Sequence, residues 1–210
     1  MLTSHDFSSL VIDTLGNKFS KQGVIVTGFY FDFATRKEQS PADMLGALLK
    51  QVINGLKEIP EEVASIYRRQ RLVIGGRRPQ LSDILKMFHT ASTSQRIFIC
   101  VDALDECVAE HQQEVLELLR EILKNSPGIR LFITAIRNIR SEIQRLFVET
   151  AMFINIKPNK GDIVTYILAK LERDTNKGAM NPGLKTDILT KIPAMVSGMY
   201  VGEKTLVYPP

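Results

Sequence analysis

The sequence predicts an α/β domain: a parallel sheet with helices on both faces. Three runs carry that prediction, GVIVTGFYFDF, RIFICV and IRLFIT, which are rich in β-branched and aromatic residues and apolar almost throughout. A strand that is apolar without alternation is buried on both faces, and segments of helical period separate these runs, the order from which parallel sheets are built. In such sheets ligands bind outside the carboxyl ends of the strands, so the residues that end each run are the first candidates for chemistry.

The opening LTSHDFSSLVIDTLGNKF spaces Leu2, Phe7, Leu10, Val11 and Leu15 at close to helical period, and GVIVTGFYFDF follows as a strand. Ser40 then supplies a cap, and Pro41 a first-turn residue whose missing N–H has no partner to lose, opening the helix PADMLGALLKQVINGL. A further helical stretch, EEVASIYRRQRL, stops at GGRRP, and LSDILKMFHTAS resumes the period. After the strand RIFICV come the amphipathic helix EHQQEVLELLREILKN, the turn NSPG, the strand IRLFIT, the helix RSEIQRLF and a last strand, AMFINI. KGDIVTYILAKLERD then begins a more helical segment. No internal repeat or low-complexity tract interrupts the chain.

At 210 residues, 44% of them hydrophobic, the chain is long enough to bury a sizeable core. Its net charge of +4 is too small an excess for a dedicated nucleic-acid surface. The apolar runs fall short of the roughly 20 residues that a membrane span requires. MLTSHDFSSL lacks the basic and apolar regions of a signal peptide, so a cytoplasmic protein is expected. Cys100 and Cys107 have no histidine at metal-ligand spacing and read as reduced structural thiols. Five arginines between positions 68 and 78 form a basic patch, but Tyr67 is the one aromatic among them, so a solvated helix face accounts for them better than nucleic-acid binding. His5, His89 and His111 are scattered, and no G-x-S-x-G elbow marks a nucleophilic triad.

The most informative stretch is FICVDALDEC, where a buried strand ends in three carboxylates, Asp102, Asp105 and Glu106. A carboxylate at that place can organise a hydrated Mg2+, which takes one or two carboxylates together with phosphate oxygens. A second acid can orient an attacking water. The plain alternative is an acidic loop that caps the helix behind it, which accounts for Glu106 alone better than for the whole string.

FICVDALDEC resembles the extended Walker B motif of NACHT-type P-loop NTPases of the STAND class, in particular the nephrocystin-like N-terminal domain common in fungal NLR-like proteins. The resemblance covers residues 1 to about 198. LFITAIRNIRSEIQRLF is similar to the sensor strand and following helix of that family, INIKPNKGDIVTYILAKLERD to the segment leading into its helical lid, and GLKTDILTKIPAMVSGMY to the next helical stretch. What this implies is a P-loop NTPase-type three-layer sandwich with a parallel sheet: an incomplete nucleotide-binding core at 1–158, the start of a helical lid at 159–198 and a divergent tail at 199–210.

The resemblance also implies roles. Asp102 would be the acid that organises Mg2+, Asp105 and Glu106 the catalytic pair that holds or polarises the hydrolytic water, and Thr134 the end of the sensor strand beside the γ-phosphate. An arginine usually follows two residues after this threonine, but here that place holds Ile136, and Arg137 stands one step late. Whether Arg137 reaches the nucleotide depends on the turn absorbing the offset, because a one-residue slip sends a side chain to the other face of a strand. The implied cofactors are Mg2+ and ATP or ADP. The implied function is a signalling switch in which ADP holds a closed monomer and ATP an open oligomer, associated in fungi with self/non-self recognition and cell death. Its implied partners are copies of itself or other proteins, and not a membrane.

One motif departs from the family. The phosphate loop G-x-x-x-x-G-K-[ST], whose amides cradle the phosphates, occurs nowhere in the chain. The family places it after the first, central strand, so the chain is expected to begin just behind it, either at an internal methionine of a longer protein or in a truncated gene. The central strand should then be missing between AMFINI and IRLFIT. That gap is expected to stand open, to close by direct pairing of its flanks or to be filled by another chain, with the helix from Leu2 to Leu15 loosely held. GMYVGEKT does not restore the loop: counting from Gly198, Glu203 takes the place of the second glycine, and LVYPP cannot open a helix. The chain alone is therefore expected to bind nucleotide weakly or not at all. The competing readings are a non-catalytic protein-interaction module or decoy subunit and, more weakly, nucleic-acid binding through the cluster from Arg68 to Arg78.

Overall fold

The computed structural model describes residues 4–19, 22–71, 79–135, 139–148, 151–155, 160–173, 181–196 and 203–207. Its centre is three parallel strands, β1 (Ile25–Tyr30), β2 (Ile97–Asp102) and β3 (Ile129–Ala135), with Ile25 opposite Ile97 and Ile97 opposite Ile129. Eight helices accompany them among the described residues: α1 (Ser4–Phe19), α2 (Pro41–Gly55), α3 (Glu61–Arg71), α4 (Leu81–Ser94), α5 (Ala109–Asn125), α6 (Arg140–Leu146), α7 (Lys160–Arg173) and α8 (Pro182–Val196). The α/β sandwich with a parallel sheet expected from the apolar runs is what the chain forms. Local chemistry agrees at α2, where Ser40 Oγ accepts the Asp43 N–H at 3.2 Å and Pro41 opens the first turn.

Side chains alternate across a strand, so two contacts assign the layers. Ile25 meets α2 at Gly55, where an added Cβ would come within 3.0 Å of its side chain. Gly28, three residues on and so facing the other way, lies beneath α1, with Ile12 Cδ1 2.7 Å from where a Cβ would stand. The Phe19 ring stacks on Phe98 of the same face, centroids 5.7 Å apart. Register then sets Phe98, Asp102, Phe132 and Thr134 on the α1 face. Ile97, Ile99, Val101, Ile129, Leu131 and Ile133 lie on the other, where they share one core with Leu45, Leu48 and Leu49 of α2, Phe88 of α4, and Leu116 and Leu119 of α5. The helix for which a loose seat was expected thus lies on β1 and β2.

The outer edge of β1 is closed by side chains. Gln51 of α2 pairs with both main-chain groups of Gly28, its Oε1 accepting the N–H and its Nε2 donating to the carbonyl, each at 2.9 Å. Gln39 repeats the device one step along, accepting the Asp32 N–H at 2.9 Å and donating to the Tyr30 carbonyl at 3.1 Å. Two glutamine amides stand where a neighbouring strand would be, and so protect an edge that would otherwise be open to pairing.

The gap beyond β3 is neither open nor closed by its flanks. β5 (Glu203–Val207) enters it antiparallel, between β3 and β4 (Ala151–Asn155), giving the order β1-β2-β3-β5-β4. Leu131 and Ala151 both face Val207 in register, and Ala135 and Asn155 both face Glu203. By sequence, 199–210 is a divergent tail with no strand, and another chain is the expected outside source of one. The physical reason for the difference is that two facing rows of unpaired N–H and C=O groups are costly, and a strand of the same chain satisfies both.

Candidate functional site

The carboxyl ends of β1, β2 and β3 converge on one rim, and the acid cluster sits at its middle. Asp102 is the last residue of β2 and only 1% exposed. Its carboxylate Oδ1 accepts the hydroxyl hydrogen of Thr134, which is also 1% exposed and lies near the end of β3. The same hydroxyl oxygen accepts the N–H of Ala103 at 2.9 Å. Ala103 is the one non-glycine residue with positive φ among the described residues (φ 52°, ψ 46°), the left-handed conformation that a side chain with a Cβ normally avoids. The Thr134 hydroxyl therefore ties the strained corner to the buried acid.

Beyond the corner, residues 104–106 form a single 3-10 turn, closed by the Glu106 N–H on the Ala103 carbonyl at 2.8 Å. Gln112 of α5 holds this turn from behind, its Nε2 donating to the carbonyls of Asp105 and Cys107 at 3.3 and 3.0 Å. The Glu106 carboxylate turns toward β1, where Oε2 accepts the Phe33 N–H at 2.9 Å. Thr134 stands on the opposite neighbour of β2. The cluster thus divides, with Asp102 bound across to β3 and Glu106 bound across to the loop after β1. The main chain repeats the second link, Phe31 donating to the Asp102 carbonyl at 3.1 Å. On that loop the Arg36 guanidinium lies over the exposed Phe33 ring, 3.9 Å from its centroid.

Of the residues singled out in the sequence, the structure brings Asp102 and Thr134 into direct contact and places Asp105 and Glu106 on the adjoining turn. Ile136 and Arg137 lie outside the described residues, as do 72–78 of the arginine cluster. Arg68, at the start of that cluster, is paired with Glu61 on the same helix, both well exposed. Cys100 and Cys107 are free and buried, as expected. Burial, with the charge of Asp102 as a lesser cause, pushes the Cys100 thiol up to about 12, and burial pushes Cys107 to about 11. No group of three or more His, Cys, Asp or Glu among the described residues could hold a metal ion. No helix among them is long and apolar enough to cross a membrane.

Sequence reasoning missed two participants and one neighbour of the rim. Ala103 carries no chemistry of its own and gives no signal of its left-handed backbone. Gln112 is polar on a helix whose apolar period does not need it. Lys204 belongs to the GEKT string, set aside as a phosphate loop, yet the register of β5 places it opposite Thr134 at the carboxyl end of β3.

The family model described as Nephrocystin 3, N-terminal matches residues 7–135. The match holds β1, β2, β3 and the whole Asp102–Thr134 site, and ends where β3 ends. No curated protein and no solved structure matches the chain significantly. With well over half of its length in that match, the chain belongs to the nephrocystin 3 N-terminal domain family.

Proposed function

We propose that this chain is the nucleotide-binding core of a NACHT-type, STAND-class signalling switch of the fungal NLR-like kind, acting in self/non-self recognition or cell death, and that residues 1–210 alone do not hold nucleotide. The observation that supports this best is the buried Asp102 carboxylate, joined to the Thr134 hydroxyl at the carboxyl ends of adjacent parallel strands. A lone buried acid at that place suits Mg2+, which needs one or two carboxylates and completes its shell with water and phosphate oxygens. The absence of a three-ligand cluster among the described residues is compatible with such a site and not with a self-sufficient protein cage. Asp102 is the residue that would hold the ion, whose chemistry there is to neutralise phosphate charge. Asp105 and Glu106 are the candidates for ordering water, and Thr134 and Arg137 for contacting the nucleotide. The remaining requirement, a run of backbone amides around the phosphates, is the phosphate loop that the sequence lacks.

Titration calorimetry with Mg-ATP tests this on two proteins: the 210-residue chain, and the same chain extended at its N-terminus by a strand and a G-x-x-x-x-G-K-T loop. Micromolar affinity is expected for the extended chain alone, and it should fall at least tenfold on Asp102→Ala. Micromolar affinity of the 210-residue chain, or an extended chain indifferent to Asp102→Ala, refutes the proposal.

A second reading, a non-catalytic protein-interaction module, is favoured by the Glu106 carboxylate being engaged with the Phe33 N–H. An extended chain that folds but binds no nucleotide would select it.

A further inference from the structure

β5 occupies an unusual place. Its neighbours β3 and β4 run parallel to each other, and β5 runs against both. In the strand order, β5 stands between β3 and β4, so β4 is joined to the rest of the sheet through β5. The strands that flank the place are close in sequence, whereas the occupant arrives only after α7 and α8. Pairing through main-chain N–H and C=O groups does not depend on which molecule the strand belongs to.

Two further observations bear on how firmly β5 is tied to its own molecule. Pro193 stands in the last turn of α8, where it removes one helical N–H and its ring crowds the carbonyl four residues back. Met195, two residues on, is 72% exposed. The helix that precedes β5 in the chain thus ends in a weakened turn. On the α1 face beside β5, Met152 and Ile154 of β4 are 56% and 40% exposed, because α1 lies over β1 and β2 at the other end of the sheet. Val148, just ahead of β4, is 74% exposed. An apolar strip therefore borders the place where a second molecule would arrive.

We infer that the place between β3 and β4 is a strand-accepting site whose alternative occupant is Glu203–Val207 of a second copy of this chain, so that two copies pair by exchanging β5. Reciprocal exchange is closed and two-fold: each copy receives the strand it gives up, every main-chain pair is remade in the same register, and no new edge is opened. Because Lys204 and Glu203 pair opposite Thr134 and Ala135, the exchanged strand also sets the second copy's residues at the rim of the candidate site.

The 210-residue chain, unlabelled and 15N-labelled, is mixed, warmed briefly near the onset of melting, cooled and measured by light scattering and native mass spectrometry. The expected result is a dimer containing hybrid pairs. Lengthening 197–202 by about ten Gly and Ser residues eases return of β5 to its own sheet, so the dimer fraction should fall at least tenfold with the fold unchanged. Thr205→Pro, which removes one N–H of β5, should abolish the dimer. Met152→Ser should leave the hybrid dimer in place. A chain that stays monomeric after warming overturns the inference. So does a dimer indifferent to linker length, or one lost on Met152→Ser, since either describes two sheet faces in contact and no exchanged strand.

Discussion

Replacing Thr134 by valine keeps the volume and shape of the side chain while removing the one hydroxyl on which the rim depends. Two hydrogen bonds are lost: the Ala103 N–H onto Oγ1 at 2.9 Å, and the hydroxyl hydrogen onto Asp102 Oδ1. The first is a neutral bond, about 1 kcal/mol net, and the second involves a carboxylate, about 1.5 to 3 kcal/mol. Asp102 is 1% exposed and Ala103 3%, so water cannot take the place of the missing partner. The expected destabilisation is about 3 kcal/mol, a large share of the roughly 5 to 15 kcal/mol of an ordinary domain. With a urea slope of about 2 kcal/mol per molar, the unfolding midpoint should fall by about 1.5 M. Thr134→Ser is the control, since it retains both bonds and loses one methyl, about 0.8 kcal/mol. If serine costs as much as valine, the hydroxyl does not hold the corner, and the reading of the site as a tied carboxylate is wrong.

The backbone at the corner makes a prediction of opposite sign: Ala103→Gly should be neutral or stabilising by up to about 1 kcal/mol, since glycine adopts φ 52° freely, whereas Ala103→Val should be strongly destabilising by thermal melting. Two glycines should separate in the same assay. An added Cβ at Gly128 meets the main-chain oxygens of Ser92 and Gln95 and should cost about 2 kcal/mol or more, while one at Gly28 clashes with the flexible end of Ile12 and otherwise makes ordinary contacts, and should cost less than about 1 kcal/mol. The thiols give a pH window. Folded Cys100 and Cys107 stay protonated up to about 12 and about 11, whereas the unfolded chain releases both near 9.0, so their contribution to stability is intact below pH 9 and is lost as pH rises through these values. At pH 8 neither should react with a thiol reagent until denaturant is added, and rapid native labelling would refute their burial.

The parallel core was legible because β2 and β3 are buried on both faces, and that leaves a continuous apolar run in the sequence. The site was legible in part for a related reason: an acid directly after such a run has no apolar purpose, and Asp102 ends one, whereas Thr134 was singled out only through the resemblance. Their contact follows from register, which sequence does not state. β5 was not legible. EKTLV is short, begins with two charged residues and follows a glycine, and its assignment as a strand depends on β3 and β4 both lacking a partner, a tertiary circumstance that no local pattern records. The direction of Glu106 was hidden likewise, since its partner is a main-chain N–H seventy-three residues away.

That direction allows the structural and chemical roles of Glu106 to be separated. The bond to Phe33 ties the loop after β1 to the turn after β2, and it needs only an acceptor oxygen. Glutamine supplies one at nearly the same position, so Glu106→Gln should cost less than about 1 kcal/mol, while Glu106→Ala removes a bond to a charged acceptor and should cost about 1.5 to 3 kcal/mol, reduced toward the lower value because the bond is accessible to water. Polarising a water is different, because it needs the negative charge, which glutamine lacks. In the chain extended with a phosphate loop, a water-polarising Glu106 therefore predicts that both variants lose ATP hydrolysis at least tenfold while only alanine loses stability. Urea unfolding and single-turnover hydrolysis of the three proteins measure the two quantities independently. Should glutamine hydrolyse ATP at the parental rate, Glu106 is a strut between two loops, and the water-ordering role falls to Asp105, whose own side chain is half-buried on the same turn. Should alanine melt like the parent, the Phe33 bond does not secure the loop, and the division of the acid cluster between β1 and β3 loses its structural half.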